Sequence, residues 1–230
     1  MVVEESHFSK PLEKEGWEKV ICIASGPSLT KEQIGIVEEL RNKNGYKVIA
    51  VSNNYQLAPW VDAVYSADHS WWHHYYPSVR DLVYEHTELW TQERVVKSAK
   101  ESWKRWGFKL SKPFNGVKLT HGKGIGRVDT VHHNGNSGCM AVNLAYLFGA
   151  KEIILVGYDF GHTFGKRHWF GDHDKKKFRR NADNPETWVR SFRYVCEDLL
   201  ASGVTVKNAT LHTAIPNNNL CPHITLEELL

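Results

Sequence analysis

Short apolar runs alternate along this chain with longer amphipathic stretches, and each run stops at polar or glycine-rich residues. Lys19–Ser25 (KVICIAS) is rich in β-branched residues and ends in Gly26-Pro27-Ser28-Leu29. From Thr30 to about Asn42 the pattern is helical, and Thr30-Lys31-Glu32-Gln33 has the form of a capping box. Lys47–Ser52 (KVIAVS) ends in Asn53-Asn54, and Asp62–Ala67 (DAVYSA) ends in Asp68-His69. Glu88–Thr91 and Val117–Thr120 read as weaker strands, with a basic amphipathic helix over Glu93–Trp106 between them. Asn134–Gly149 enters a helix through a glycine-rich loop and leaves it at a glycine, and Lys151–Val156 follows as a buried strand ending in Gly157-Tyr158-Asp159-Phe160. Asn184–Leu200 is helical with Pro185 in its first turn, and Val204–Lys207 gives a last strand.

Strands alternating with helices predict an α/β, Rossmann-like protein: a mostly parallel sheet with helices on both faces. Residues 1–230 are expected to form one nucleotide-binding unit, with a polar arm over 1–17. Residues 161–184, rich in His, Gly, Lys and Arg, interrupt the pattern and read as a functional loop or lid.

Composition narrows the class. Hydrophobic residues at 41% and charged residues at 24% are those of a folded globular chain. Val48–Val51 and Ile153–Val156 are far shorter than the roughly 20 residues a membrane helix needs. Met1–Trp17 carries charges and no apolar h-region, so no secretory signal is read there and a cytoplasmic location is expected, the host's if the chain is phage-encoded. Cys22, Cys139, Cys196 and Cys221 are scattered, make no C-x-x-C pair and read as reduced, buried residues. A formal charge of +3 is mild, but positive charge gathers at Lys97–Lys112 and Lys166–Arg180, which suits an anionic ligand.

In an open α/β sheet, ligands bind outside the carboxyl ends of the strands. Four such ends present Ser25-Gly26-Pro27-Ser28, Asn53-Asn54, Asp68-His69 and Tyr158-Asp159-Phe160. Gly26 lets backbone approach a ligand, Ser28 can donate to a phosphate, and the following helix points its positive end there; Gly-Pro-Ser serves equally well as a plain turn. The loop Asn134–Gly138 repeats the logic, with Asn136 and Ser137 as added donors and Gly138 leaving its backbone open. It lacks the Lys of a P-loop, and Gly122-Lys123-Gly124-Ile125-Gly126 has the wrong spacing for a dinucleotide fingerprint, which disfavours a P-loop NTPase and an ordinary dehydrogenase.

Histidines gather in the lid (His162, His168, His173), before the glycine loop (His132, His133) and after the third strand (His69, His73, His74). They suit general-base work or stabilisation of leaving-group charge; none has a zinc spacing, and no metal ligand is assigned. Lys166, Arg167 and Arg179 are candidates for a phosphate clamp, the other reading of such a charge run being a solvated face. Trp71–Tyr76 (WWHHYY) could stack a base, a sugar or single-stranded nucleic acid, or could form the buried start of a helix.

Ile23–Leu29 (IASGPSL), Val51–Asn54 (VSNN) and Asn136–Val142 (NSGCMAV) followed by Glu152–Phe160 (EIILVGYDF) resemble the bacterial lipooligosaccharide sialyltransferases. The archaeal hydroxymethylpterin pyrophosphokinase family shares the glycine-proline-serine element, and the chain is similar throughout to small tailed-phage proteins. The resemblance covers Lys19 to Phe160. It implies a cytidine monophosphate-linked donor held by Gly26, Pro27, Ser28, Asn53 or Asn54, Asn136, Ser137 and Gly138, with Asp159 matching the family's aspartate, a lid histidine as general base and no metal required. His173 is the match to that base, with His168 beside it; the lid lacks the tyrosine pair that neutralises the leaving phosphate in that family.

The expectation is therefore a metal-independent transferase that moves a sugar from a nucleotide to a hydroxyl acceptor, modified DNA being one acceptor class. Catalysis falls to His173, His168 and Asp159, and nucleotide binding to the loops above with Asp68. Two alternatives stay open: a Mg²⁺-dependent diphosphotransferase acting on a hydroxymethyl group, with Asp68 and Asp159 holding the ion, and a non-catalytic nucleotide or nucleic-acid binder. Homo-oligomerisation is left open.

Overall fold

The computed structural model describes residues 12–98, 112–172 and 184–230. Eight strands, Lys19–Ile23 (β1), Lys47–Val51 (β2), Ala63–Tyr65 (β3), Glu88–Gln92 (β4), Phe114–Thr120 (β5), Thr130–His132 (β6), Glu152–Val156 (β7) and Thr205–Asn208 (β8), form one sheet of order β6-β5-β4-β3-β2-β1-β7-β8. Every pairing is parallel. Parallel neighbours need crossovers: Lys31–Asn44 (α1) and His69–Leu82 (α2) supply two, Ser137–Leu147 (α3) carries the chain from the edge strand β6 back across the sheet to β7, and Pro185–Ala201 (α4) joins β7 to β8. The chain is thus α/β and Rossmann-like, as its apolar pattern predicts.

Side chains alternate across the sheet, so each central strand feeds two cores. Ile21 and Ile23 of β1 join Val48, Val64 and Val156 beneath α1 and α2. Val20 and Cys22 point the other way and join Ile49, Tyr65, Leu155, α3 and the buried face of α4. β1 and β7 are buried on both faces, which is why their sequences are continuous apolar runs rather than alternating ones. Nearly every residue of α3 is buried, the signature of a helix covered all round.

Local chemistry sets the helix ends. Thr30 caps α1 by accepting from the Gln33 amide at 3.2 Å, and Gly45, at φ 75°, closes it with its N–H on the Leu40 carbonyl. Asn136 caps α3 through the Cys139 amide at 2.9 Å, and Asn184 caps α4 through the Thr187 amide at 3.0 Å.

Two elements go beyond the sequence reading. The WWHHYY run is the first half of α2, with Trp71, Trp72 and Tyr76 buried, so the reading as a buried helix start is the one realised. β6 is a three-residue edge strand, held by a helix: Asn143 of α3 accepts from the amides of Gly126 (2.7 Å) and His132 (3.0 Å) and donates to the Gly126 carbonyl (3.0 Å). Of the helix expected over Glu93–Trp106, residues 93–98 are helical and the rest lies outside the described residues. The arm is anchored from residue 12 onward, where Lys14 pairs with Glu88 and Trp17 is buried edge-on against Phe148. Among the described residues no helix is long and apolar enough to cross a membrane.

Candidate functional site

The order of the strands reverses at β1, so the gap between the carboxyl ends of β1 and β7 is the topological switch point, where open α/β sheets hold ligands. The Gly-Pro-Ser loop leaves β1 there and the Tyr158-Asp159 loop leaves β7. Ser28 donates to Asp159 twice, from its amide to Oδ2 at 3.0 Å and from its hydroxyl to Oδ1 at 2.7 Å, and Gly26 donates from its amide to the Gly157 carbonyl at 2.8 Å. Gly26 has no room for a side chain: a Cβ there would lie 1.9 Å from Asp159 Oδ1 and 2.5 Å from the Gly157 oxygen. Its glycine lets two loops meet. Ser28 and Asp159 are both buried, and the hydroxyl proton of Ser28 is already committed to Asp159.

The same β7 loop reaches the glycine-rich loop. Tyr158 donates from its phenol to the Gly138 carbonyl at 3.1 Å, and a Cβ on Gly138 would crowd that ring at 3.1 Å. Ser137 accepts from the Ala67 amide at 3.3 Å, which places the amino terminus of α3 between the ends of β3 and β7. The loops at Ser25–Ser28 and Asn136–Gly138 are therefore both braced by Tyr158-Asp159. Asn136 and Ser137 are half-buried and stand at the positive end of α3.

Asn54 organises the end of β2. It is fully buried, donates through Nδ2 to the carbonyls of Ile23 (2.9 Å) and Val51 (2.7 Å) and to Ser25 Oγ (3.1 Å), and accepts at Oδ1 from the Trp169 indole at 2.8 Å. Asn53, also buried, accepts from the Trp71 indole at 2.6 Å, so the aromatic start of α2 is tied to the same corner. Asp68 stands exposed at the start of α2 and makes no side-chain capping bond. The strands that lead to Asp68 and Asp159 are three interstrand spacings apart, roughly 14 Å.

Within the lid segment, residues 161–172 and 184 are described. Thr163 and Lys166 form an antiparallel bridge around Phe164 and Gly165, both in the left-handed region at φ 55° and 70°. The chain then crosses the sheet edge as a strap: Trp169 donates from its amide to the Ser25 carbonyl at 3.1 Å and sets its indole over Asn54. Lys166, Arg167 and His168 directly precede Trp169 on this strap. His168 stacks on Phe170 at 4.9 Å, and Arg167 stands 3.9 Å from Asp172. His173 and Arg179 lie outside the described residues.

Two cavities open along the carboxyl edge, one on each side of the switch point. One, of about 600 Å³, lies between the 159–164 and 210–214 loops and is lined by Asp159, His162, Phe164, Thr210, His212 and His223 among others. The other, of about 400 Å³, lies beyond the ends of β4 and β5 and includes Arg94, Lys118, His121 and His133. Lys118 there is spoken for by Asp129, which raises the Lys118 ammonium and lowers the carboxyl through one short hydrogen bond. At the start of α2, burial and then the neighbouring His73 hold the His69 imidazole below its ordinary value. Burial pushes the thiols of Cys22 and Cys139 up to about 12, so neither is a nucleophile at neutral pH.

His212, His223 and Trp169 were not singled out from the sequence. Thr210-Leu211-His212-Thr213 follows β8 as a polar break, the signal used at the other strand ends, and it finds His212. Nothing local marks His223, which enters by pairing of its segment with Asn208. Among the described residues no group of three or more His, Cys, Asp or Glu side chains converges as a metal site. A comparison with protein-family models and with curated proteins returns no match.

Proposed function

We propose that the protein is a metal-independent transferase that binds a nucleotide-activated sugar at the carboxyl edge of its sheet and passes the sugar to a hydroxyl acceptor. The observation that carries the reading is the bracing of two loops, Ser25–Ser28 and Asn136–Gly138, by Tyr158-Asp159 across the switch point. In this reading the donor phosphate sits at the positive end of α3, where free backbone N–H groups and the side chains of Asn136 and Ser137 suit an anion. The resemblance to the sialyltransferases makes the nucleotide a cytidine monophosphate.

Asp159 acts here as a positioning residue, because both its oxygens are engaged by Ser28. The base is a histidine of the strap or of the segment after it, His168 or His173. It takes the acceptor's hydroxyl proton as the new bond forms at the sugar carbon and the bond to the phosphate oxygen breaks. Lys166 and Arg167, on the same strap, offset the charge left on the phosphate, with Arg179 as the third member of the clamp.

Thermal denaturation with cytidine nucleotides, a cytidine monophosphate-linked sugar, and ATP with and without Mg²⁺ tests the reading. A nucleotide at about 100 times its Kd adds about 2.7 kcal/mol, or roughly 5–10 °C in Tm for a chain of this size. The expected result is a shift with cytidine nucleotides in the presence of EDTA, with donor consumption followed by mass spectrometry. A shift with ATP·Mg²⁺ alone, or none with any nucleotide, overturns it.

A further inference from the structure

The cavity beside Asp159 takes no part in the nucleotide contacts described above. Its walls come from segments far apart in the chain: 159–164 after β7, 210–214 after β8, and His223, whose segment pairs with Asn208 beside β8. Its volume of about 600 Å³ lies within the range of about 300–1,000 Å³ usual for small-molecule sites. The walls are fixed from behind. Thr210 accepts from the Tyr158 amide at 2.9 Å, Thr213 donates to the Tyr158 carbonyl at 2.7 Å, and the Ala214 amide donates to the Asp159 carbonyl at 2.8 Å.

Three imidazoles line this space. The ring of His223 is oriented by its Nε2, which lies 3.0 Å from the Ile215 carbonyl; that oxygen only accepts, so Nε2 is the donor and Nδ1 is the ring nitrogen left for other partners. His212 meets the ring of Phe164 edge-on at 5.1 Å. Phe164 itself is 71% exposed, and Leu211 on the same rim is 57% exposed. The backbone of Phe164 is in the left-handed region, where a bulky side chain is strained. A strained turn that holds an aromatic ring in water at the mouth of a polar cavity points to a ligand that covers the ring.

We infer that this cavity binds a sugar ring, with Phe164 as the stacking platform and the imidazoles of His212 and His223 as hydrogen-bonding partners. The apolar face of a pyranose matches a single exposed aromatic ring backed by an edge-on neighbour. The two nitrogens of an imidazole can serve as donor and acceptor, as sugar hydroxyls do, whereas an oxyanion needs donors alone. No Lys or Arg lines the cavity among the described residues, so it offers an anion no fixed positive charge of that kind. The inference goes beyond the transfer reaction, since a sugar held here requires no nucleotide.

Saturation-transfer NMR on the full chain tests it, with the methyl glycosides of glucose, galactose and N-acetylglucosamine as probes and inorganic phosphate and cytidine monophosphate as competitors. The expected result is transfer to the ring protons of at least one glycoside, binding about five- to tenfold weaker in Phe164→Ala, retained in Phe164→Tyr, and undisturbed by phosphate. Phe164 is exposed, so the substitution leaves the core intact, and an unchanged Tm verifies it. Absence of transfer from every glycoside, transfer equally strong in Phe164→Ala, or displacement by phosphate overturns the inference. The nucleotide shift is read separately on the same protein: binding of cytidine monophosphate without any glycoside removes this inference alone, and the reverse removes the transfer reading alone.

Discussion

Gly26 and Asp159 define the junction at the residue scale. Gly26→Ala would drive a methyl group into Asp159 and the Gly157 carbonyl, and we expect a loss of about 2–4 kcal/mol in urea denaturation. Asp159 separates a positioning role from a chemical one. Asp159→Ala strands the buried Ser28 amide and hydroxyl and should cost about 2–4 kcal/mol, whereas Asp159→Asn keeps an acceptor for the amide and a donor for the hydroxyl and should cost about 1 kcal/mol. Nucleotide-dependent Tm shifts that survive Asp159→Asn fit the positioning role; their complete loss in a folded variant contradicts it. The buried thiols yield a pH prediction. Cys22 and Cys139 titrate near 9 in a free chain and at about 12 in the fold. Between those values the unfolded chain releases protons that the folded one keeps, so stability is full below about pH 9 and falls as pH rises. Tm measured from pH 8 upward should hold to about pH 9 and decline above it, and a thiol reagent should find no reactive cysteine before denaturation, since all four are buried.

At the scale of elements, the amino end of α3 and the strap around Trp169 decide how the crevice is presented. Asn136→Ala removes the cap of α3 and should lower stability by about 1 kcal/mol, read from the shift in Tm. Trp169→Phe keeps the aromatic bulk but frees Asn54 Oδ1, a buried acceptor, at a cost of about 1–3 kcal/mol. Limited proteolysis between residues 161 and 172 should accelerate in this variant while cleavage elsewhere does not. Uniform acceleration would mean that the strap is not a separate unit. The strap also explains why its sequence defied periodicity: its order comes from two contacts to the ends of β1 and β2, made by one tryptophan, rather than from a repeating apolar face.

For the whole molecule, the all-parallel sheet sets the mode of folding. Every strand pair is parallel and is closed by a connection that must form before the pairing rewards it, and β1 pairs with β7 across more than half the chain. Such non-local pairing is slow to form, and refolding after a denaturant jump is expected in milliseconds to seconds rather than microseconds. Because β1 feeds both cores, unfolding followed by tryptophan fluorescence and by far-ultraviolet circular dichroism should coincide.

The sequence by itself determined the class of fold. Continuous apolar runs at Lys19–Ile23, Lys47–Val51 and Glu152–Val156, each ending in polar residues and separated by capped helices, can be satisfied only by strands covered on both faces. It also marked Gly26, Ser28, Asn54, Asn136 and Asp159, because each follows a strand or starts a helix. What those side chains do was decided by tertiary structure. Whether Ser28 faces a ligand or Asp159, and whether Asn54 is open or roofed by Trp169, depends on partners 131 and 115 residues away in the chain. Local pattern carries no information at such separations. The cavity of His162, His212 and His223 arises the same way, from loops of different strands that the parallel order of β1, β7 and β8 places side by side.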